Sequence, residues 1–230
     1  MSDGVGAAAS GPERSGGKTS PSSAARGSES SAQRREVVLG RIRAALDSAA
    51  PPGEVPREYR RTFGAPDLDL LVERLVDYRA VVHRTADVAG TVAEIMGPDK
   101  TVVVPPELPA GWLPPTVVAW PDDGLDAARI AAADGVVTAA AVAVAETGTI
   151  VLDGSPDQGR RIISLLPDLH ICVLRPEQVV AAVPAAVARL DPRRPLTWIS
   201  GPSATSDIEL NRVEGVHGPR NLHVILVEAP

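Results

Sequence analysis

Cysteine is almost missing from this chain: Cys172 stands alone among 230 residues. A single thiol closes no internal disulfide, completes no cysteine-rich zinc site and ligates no four-cysteine iron-sulfur cluster. Set in the stretch Leu169-His170-Ile171-Cys172-Val173-Leu174, it reads as a buried strand residue rather than a nucleophile. Aromatics are scarce too, at 3% against a hydrophobic share of 44%, so the core must be built from Val, Leu, Ile and Ala. That composition suits the covered strands of a mostly parallel sheet. Trp112, Trp120 and Trp198 sit in or beside apolar segments, where packing is their expected role. Positive charge is outweighed, with 23 Lys and Arg against 29 Asp and Glu, and the formal charge of -6 argues against a nucleic-acid partner. No basic segment followed by an apolar one opens the chain. The longest apolar stretch, Gly135 to Ala145, is too short and Ala-rich for a membrane span, so a cytoplasmic protein is expected. Also missing are a Gly-x-Gly-x-x-Gly after a strand, a Walker loop and a His-Glu-x-x-His, which leaves nicotinamide, nucleotide-triphosphate and zinc-peptidase chemistry without a motif.

What is present divides by composition. Residues 1–35 are Ser, Gly and Ala with scattered charges and read as a disordered tail. Residues 36–65 read as a helical arm and linker: Val38, Ile42, Ala45 and Leu46 recur at helical spacing before Pro51-Pro52-Gly53 stops the helix. The arm either packs on its own domain or docks a partner. The domain proper, 66–230, opens with a helix capped by Asp67, whose Leu68, Leu71, Leu75 and Tyr78 form one stripe. Short strands are then expected at Ala80–His83, Thr101–Val104, Thr116–Trp120, Gly135–Glu146, Thr149–Leu152, His170–Leu174, Leu196–Ser200 and Leu222–Val227. Their alternation with helical or turn-rich segments predicts an α/β fold, an open, mostly parallel sheet flanked by helices, with ligands outside the carboxyl ends of its strands.

Three strand-end segments carry polar groups. In Ala145-Glu146-Thr147-Gly148-Thr149-Ile150, Gly148 permits a positive φ and Glu146 emerges as a candidate base, nucleophile or acceptor. An ordinary hairpin turn is the competing reading. In Ser200-Gly201-Pro202-Ser203-Ala204-Thr205-Ser206-Asp207-Ile208-Glu209, a strand runs into a hydroxyl-rich loop and then a short helix. Gly201 admits close backbone approach there, and Ser203, Thr205 and the amides of the helix start can hold phosphate or carboxylate. Ser206 with Glu209 also fits a capping box. The loop misses the serine-hydrolase elbow because Thr205 stands where the second Gly of Gly-x-Ser-x-Gly belongs. In Gly215-Val216-His217-Gly218-Pro219-Arg220, His217 can exchange a proton near neutral pH and Arg220 can grip a carboxylate in two-pronged fashion. His83, His170 and His223 read as packed residues, and the pair Arg160-Arg161 as either an anion recruiter or a solvated face.

Taken in order, Ala145-Glu146-Thr147-Gly148-Thr149, Ser200-Gly201-Pro202-Ser203 through Asp207-Ile208-Glu209, and Gly215-Val216-His217-Gly218-Pro219 resemble the lactate-utilization C family. The resemblance covers roughly residue 66 to the end of the chain and includes Gly159-Arg160-Arg161. It implies a LUD domain with a fold like that of ribose-5-phosphate isomerase, glucosamine-6-phosphate deaminase and the CoA transferases. It also implies a role in oxidising L-lactate to pyruvate beside iron-sulfur partner proteins, which would carry the clusters that this chain lacks. The expected catalytic residues are Glu146 and His217. The expected ligand-binding residues are Thr147, Gly148, Ser200, Gly201, Ser203, Thr205, Asp207 and Arg220, around a small organic acid or phosphate. A stand-alone sugar-phosphate or CoA-ester enzyme, and a non-catalytic assembly or regulatory subunit, are the other readings.

Overall fold

The structure is a computed structural model that describes residues 31–47, 53–56, 58, 63–206, 212–214 and 217–228. Of the tail expected over residues 1–35, residues 1–30 lie outside the described residues and 31–35 belong to a helix. The chain divides into two units, Met1–Arg57 and Glu58–Pro230. In the first, helix α1 (Ser31–Leu46) begins at Ser31 rather than Glu36, because Ala32, Gln33, Arg34 and Arg35 are good helix formers, and Glu36 pairs with Arg43 at 2.9 Å.

The second unit begins with α2 (Leu68–Asp77). Asp67 caps it, its Oδ1 accepting from the N–H groups of Asp69 and Leu70 at 3.0 Å each. Leu71 and Leu75 are buried, whereas Tyr78, expected in the same stripe, stands at the C-cap and is exposed. There follow β1 (Val81–Thr85), α3 (Val88–Met96), β2 (Thr101–Val104), β3 (Val118–Pro121), α4 (Ala127–Ala131) and β4 (Gly135–Thr138). The run Gly135–Glu146, expected as one strand, breaks after Thr138. Ala139 donates its N–H to Asp157 O and Ala141 to Val151 O, so the backbone changes partner, and β5 (Val142–Val144) joins a second sheet. The remaining elements are β6 (Thr149–Leu152), β7 (Leu169–Leu174), β8 (Val179–Val180), α5 (Val183–Arg189), β9 (Thr197–Ile199), β10 (Ala204–Ser206), β11 (Arg212–Glu214) and β12 (Asn221–Val227).

The main sheet has six strands in the order β1-β12-β7-β4-β2-β3, all parallel. A four-stranded sheet, β8-β5-β6-β9, is mixed: β5 and β8 run parallel, while β6 is antiparallel to both β5 and β9. Strands β10 and β11 form an antiparallel pair, so Thr205 and Ser206 lie on a strand where the run-up to a capped helix was expected. Strand alternation sorts β7 and β12 between the two faces of the main sheet. On one face Cys172, Leu174, Leu222, Val224 and Leu226 pack on Leu71 and Leu75 of α2 and on Ala143, Ile150 and Leu152 of the second sheet. On the other, Ile171, Val173 and Ile225 meet Val88, Val92 and Met96 of α3. Each such buried aliphatic contributes about 1.5–3 kcal/mol. Cys172 is fully buried, as expected, and burial pushes its thiol up to about 12. Trp120 lies under the Arg129 guanidinium at 3.8 Å, while Trp198 is exposed on β9 rather than packed inside. Among the described residues, no helix is long and apolar enough to cross a membrane.

Candidate functional site

The first polar segment is the turn of the β5–β6 hairpin, closed by the pairing of Val144 with Thr149. Gly148 has φ +59, and a Cβ there would fall 2.6 Å from Cβ of Arg74, so the turn lies directly on the end of α2. Glu146 is exposed, and its backbone N–H donates to Ala181 O at 3.1 Å. Thr147 Oγ1 donates to Thr149 Oγ1 at 2.9 Å, and Thr149 Oγ1 is 2.9 Å from Ser200 Oγ. The β6–β9 pairing thus ties the first segment to the second through three hydroxyls.

Beyond Ser200 the chain turns at Gly201, with φ +89, where a Cβ would meet both Cβ and the backbone O of Tyr78 at 2.7 Å. It then reaches Ser203, whose N–H donates to Pro219 O at 2.7 Å and whose Oγ accepts from the His217 N–H at 3.1 Å. The second and third segments are therefore laced together. The His217 bond comes from its backbone and not its ring, so it supplies Ser203 with no general base. Thr205 pairs with Val213 in the β10–β11 ribbon, and Asp207 lies outside the described residues.

Ser200, Gly201, Ser203 and His217 line a cavity of about 280 Å³ together with Arg161, Ser164 and His170. It opens at the amino ends of β7 and β12, next to His170 and Leu222, and not at the carboxyl ends where strand topology had directed attention. The reason is connectivity: His217 to Arg220 precede β12, and a segment feeding a parallel strand enters at its amino end. Glu146 is not among the residues lining this cavity, so the two expected proton-handling residues are not brought into one pocket.

The arginines divide their roles differently from the expectation. Arg220 closes its fork on Asp168, Nε to Oδ1 at 2.6 Å and Nη2 to Oδ2 at 2.8 Å, so its two-pronged grip is used inside the chain. Hydrogen bonding from Arg220 holds the Asp168 carboxyl below its ordinary range. Arg160 closes on Asp122, whose side chain is 1% exposed, and also donates to Leu125 O at 2.7 Å. Arg161, exposed, has no ion-pair partner among the described residues. It lines both this cavity and an adjoining one of about 470 Å³ at the carboxyl ends of β2 and β3.

His170, expected as a packed residue, is packed and also lines the cavity. It is 1% exposed, its Nε2 lies 2.8 Å from Thr138 Oγ1, and burial lowers its pKa to about 4, which keeps the ring neutral. Its place two residues before Cys172 puts it on the inward face of β7. Only the tertiary structure reveals that this face opens into a cavity. On the opposite face His83 and His223 stack at 5.2 Å and share a 3.0 Å ring hydrogen bond, with the His223 pKa lowered by burial and then by His83. No group of three metal-ligating side chains is found among the described residues.

A LUD domain model matches residues 120–227, a stretch holding every residue that lines the smaller cavity. A lactate utilization protein C from Deinococcus radiodurans is 47% identical over 186 residues, spanning 78% of this chain and 86% of that protein. The chain belongs to the lactate utilization protein C family. Family members from Bacillus licheniformis and Bacillus subtilis share 35% and 36% identity over shorter stretches, about two-fifths of either chain. The crystal structure of a DUF162 family protein from Deinococcus radiodurans superimposes with a TM-score of 0.61 at 41% identity, covering 70% of this chain and 96% of that one. The mostly parallel sheet flanked by helices is accordingly the architecture of this LUD domain.

Proposed function

We propose that the chain serves lactate utilization by holding lactate, or the pyruvate formed from it, in the cavity at the amino ends of β7 and β12. The observation that carries this reading is the convergence of Arg161, Ser203 and His217 on one small pocket inside a LUD domain. A volume of about 280 Å³ lies at the lower end of ligand pockets, which span roughly 300–1,000 Å³, and suits an acid of few heavy atoms. Arg161 supplies the counter-charge for the carboxylate, in the part first expected of Arg220. The hydroxyls of Ser200 and Ser203 offer further hydrogen bonds to it. His217, at the rim, is favoured over Glu146 as proton acceptor because it lines the pocket and Glu146 does not.

Oxidation of an alcohol to a ketone releases a pair of electrons, and the one thiol of this chain is buried. In this reading they pass to iron-sulfur partner proteins, and the complex works in the cytoplasm. The test is growth on L-lactate as sole carbon source by a strain deleted for the chain and complemented with variants. Arg161→Ala is expected to weaken binding of the acid by about tenfold or more and to slow growth, the loss of one charge-assisted hydrogen bond being about 1.5–3 kcal/mol. His217→Ala is expected to impair growth with binding retained. Undiminished growth with both variants would remove this site from the pathway.

A further inference from the structure

We propose that the larger cavity, of about 470 Å³, seats the aliphatic side chain of a 2-hydroxy acid longer than lactate. The proposal rests on the reading of the smaller cavity as the acid site and goes beyond it by naming a wider substrate class. The two cavities adjoin because the main sheet is staggered. Val103, next to the end of β2, is level with Val136 of β4, and Val136 is level with His170, near the start of β7. The carboxyl end of β2 and the amino end of β7 therefore lie at one height. Arg161, Ser164 and Thr197 line both cavities. A carboxylate held by Arg161 thus sits where they meet, with its hydroxyl-bearing carbon toward Ser203 and His217 and a longer side chain directed past Thr197.

The lining decides what kind of side chain fits. Pro106, Leu152, Pro156 and Pro195 supply apolar wall. The polar groups beside them are engaged inside the chain. Ser155 Oγ donates to Asp153 Oδ1 at 2.6 Å, and Ser164 Oγ donates to Arg161 O at 2.9 Å. Gln158 accepts from the Asp153 N–H at 2.7 Å and donates to Asp157 at 3.3 Å. Asp122 and Arg160 neutralise each other. The charges that remain in the lining are those of Glu107, which is exposed, and of Arg161, which the carboxylate occupies. A second anionic group, whether carboxylate or phosphate, would face Glu107 with no further cation in the lining to offset it. An uncharged hydrocarbon chain meets no such repulsion and leaves water for the proline and leucine walls. Each methylene buried there tightens binding about fourfold.

The experiment is a calorimetric titration of the full chain with the sodium salts of L-lactate, L-2-hydroxyhexanoate and L-2-hydroxyglutarate. The hydroxyhexanoate, with a butyl group where lactate has a methyl, is expected to bind about tenfold more tightly, part of its gain being offset by ordering of the chain. The hydroxyglutarate is expected to bind no better than lactate. Pro106→Trp and Pro156→Trp each place an indole in the larger cavity from an exposed position that does not line the smaller one. Either should abolish the gain and leave lactate unchanged, so one folded variant suffices. Arg161→Ala should weaken every acid. Hydroxyhexanoate bound no more tightly than lactate, or a gain that survives in a folded filling variant, would overturn the proposal and leave the smaller cavity's role standing. So would tighter binding of the hydroxyglutarate than of the hydroxyhexanoate. No binding of any of these acids would sink the reading of the smaller cavity, and this proposal with it.

Discussion

The Arg160–Asp122 pair offers a sharp test because its two partners are buried so unequally. The Asp122 side chain is 1% exposed and the Arg160 side chain 49% exposed. Arg160→Ala strands a carboxylate with almost no solvent, and breaking a buried pair in that way costs about 3 kcal/mol, the low end of the range because Asp122 borders the larger cavity, where water can enter. Asp122→Ala strands a guanidinium already half in water and still bonded to Leu125 O, so the loss is about 1 kcal/mol. The double variant leaves no orphaned charge and stays near the Asp122 single, giving a coupling of about 3 kcal/mol. For a domain of this size, 1 kcal/mol moves Tm by about 2–4 °C, so the singles should melt about 6–12 °C and about 2–4 °C below the parent protein. Calorimetric melts with urea unfolding at pH 7 measure all four corners of the cycle. If Asp122→Ala proves as damaging as Arg160→Ala, or if the two losses simply add, the argument from unequal burial is wrong.

Other consequences follow from the same physical chemistry. The unfolded chain protonates His170 near pH 6.5, while the folded chain resists until about pH 4. The stability it contributes is thus fully present above pH 6.5 and lost on acidification toward 4, by up to about 3 kcal/mol. Denaturant titrations at pH 7 and pH 4.5 should show this drop and its near absence in His170→Phe; parallel curves would refute it. Asp168, its folded pKa depressed by Arg220, contributes stability above its ordinary value that disappears as the pH falls through the lowered one. Both partners are about half exposed, so the contribution is well under 1 kcal/mol, and Asp168→Asn should remove only a small step below about pH 4 in an acid-unfolding curve. Cys172, buried and with its thiol at about 12, should be inert to a thiol reagent until the chain unfolds. Rapid labelling of the native protein at pH 8 would contradict the burial.

The strands most legible in the sequence were short, β-branched and fenced by turn residues. Thr101–Val104 and Thr149–Leu152 were read to the residue. The break at Ala139–Ala141 was not legible, because alanine carries no signal of a change in backbone partner. The two residues of β8 are too few to show periodicity, and β10 lies where a hydroxyl-rich sequence equally suits a helix cap. Ser203 and His217 stood out as polar groups at strand ends. Their meeting depends on the β6–β9 pairing and on the entry to β12, both long-range. Arg220 looked free for a ligand because Asp168, which occupies it, lies far away in the chain. His170 looked like packing, and it is packed. What the alternation pattern could not disclose was a void beside it.

Gly148 and Gly201 press on the last turn and cap of the same helix, at Arg74 and Tyr78, close enough to exclude a methyl group. Much of what they touch is main chain or Cβ, so the far ends of those two side chains are free to vary while the path of α2 is not. Lengthening α2 by one residue would rotate its end by about 100° and carry it about 1.5 Å along its axis, lifting it out of both loops together. Insertions and deletions in relatives of this protein should therefore gather before Asp67, where the helix can lengthen outward, and spare the interval from Leu71 to Ala80.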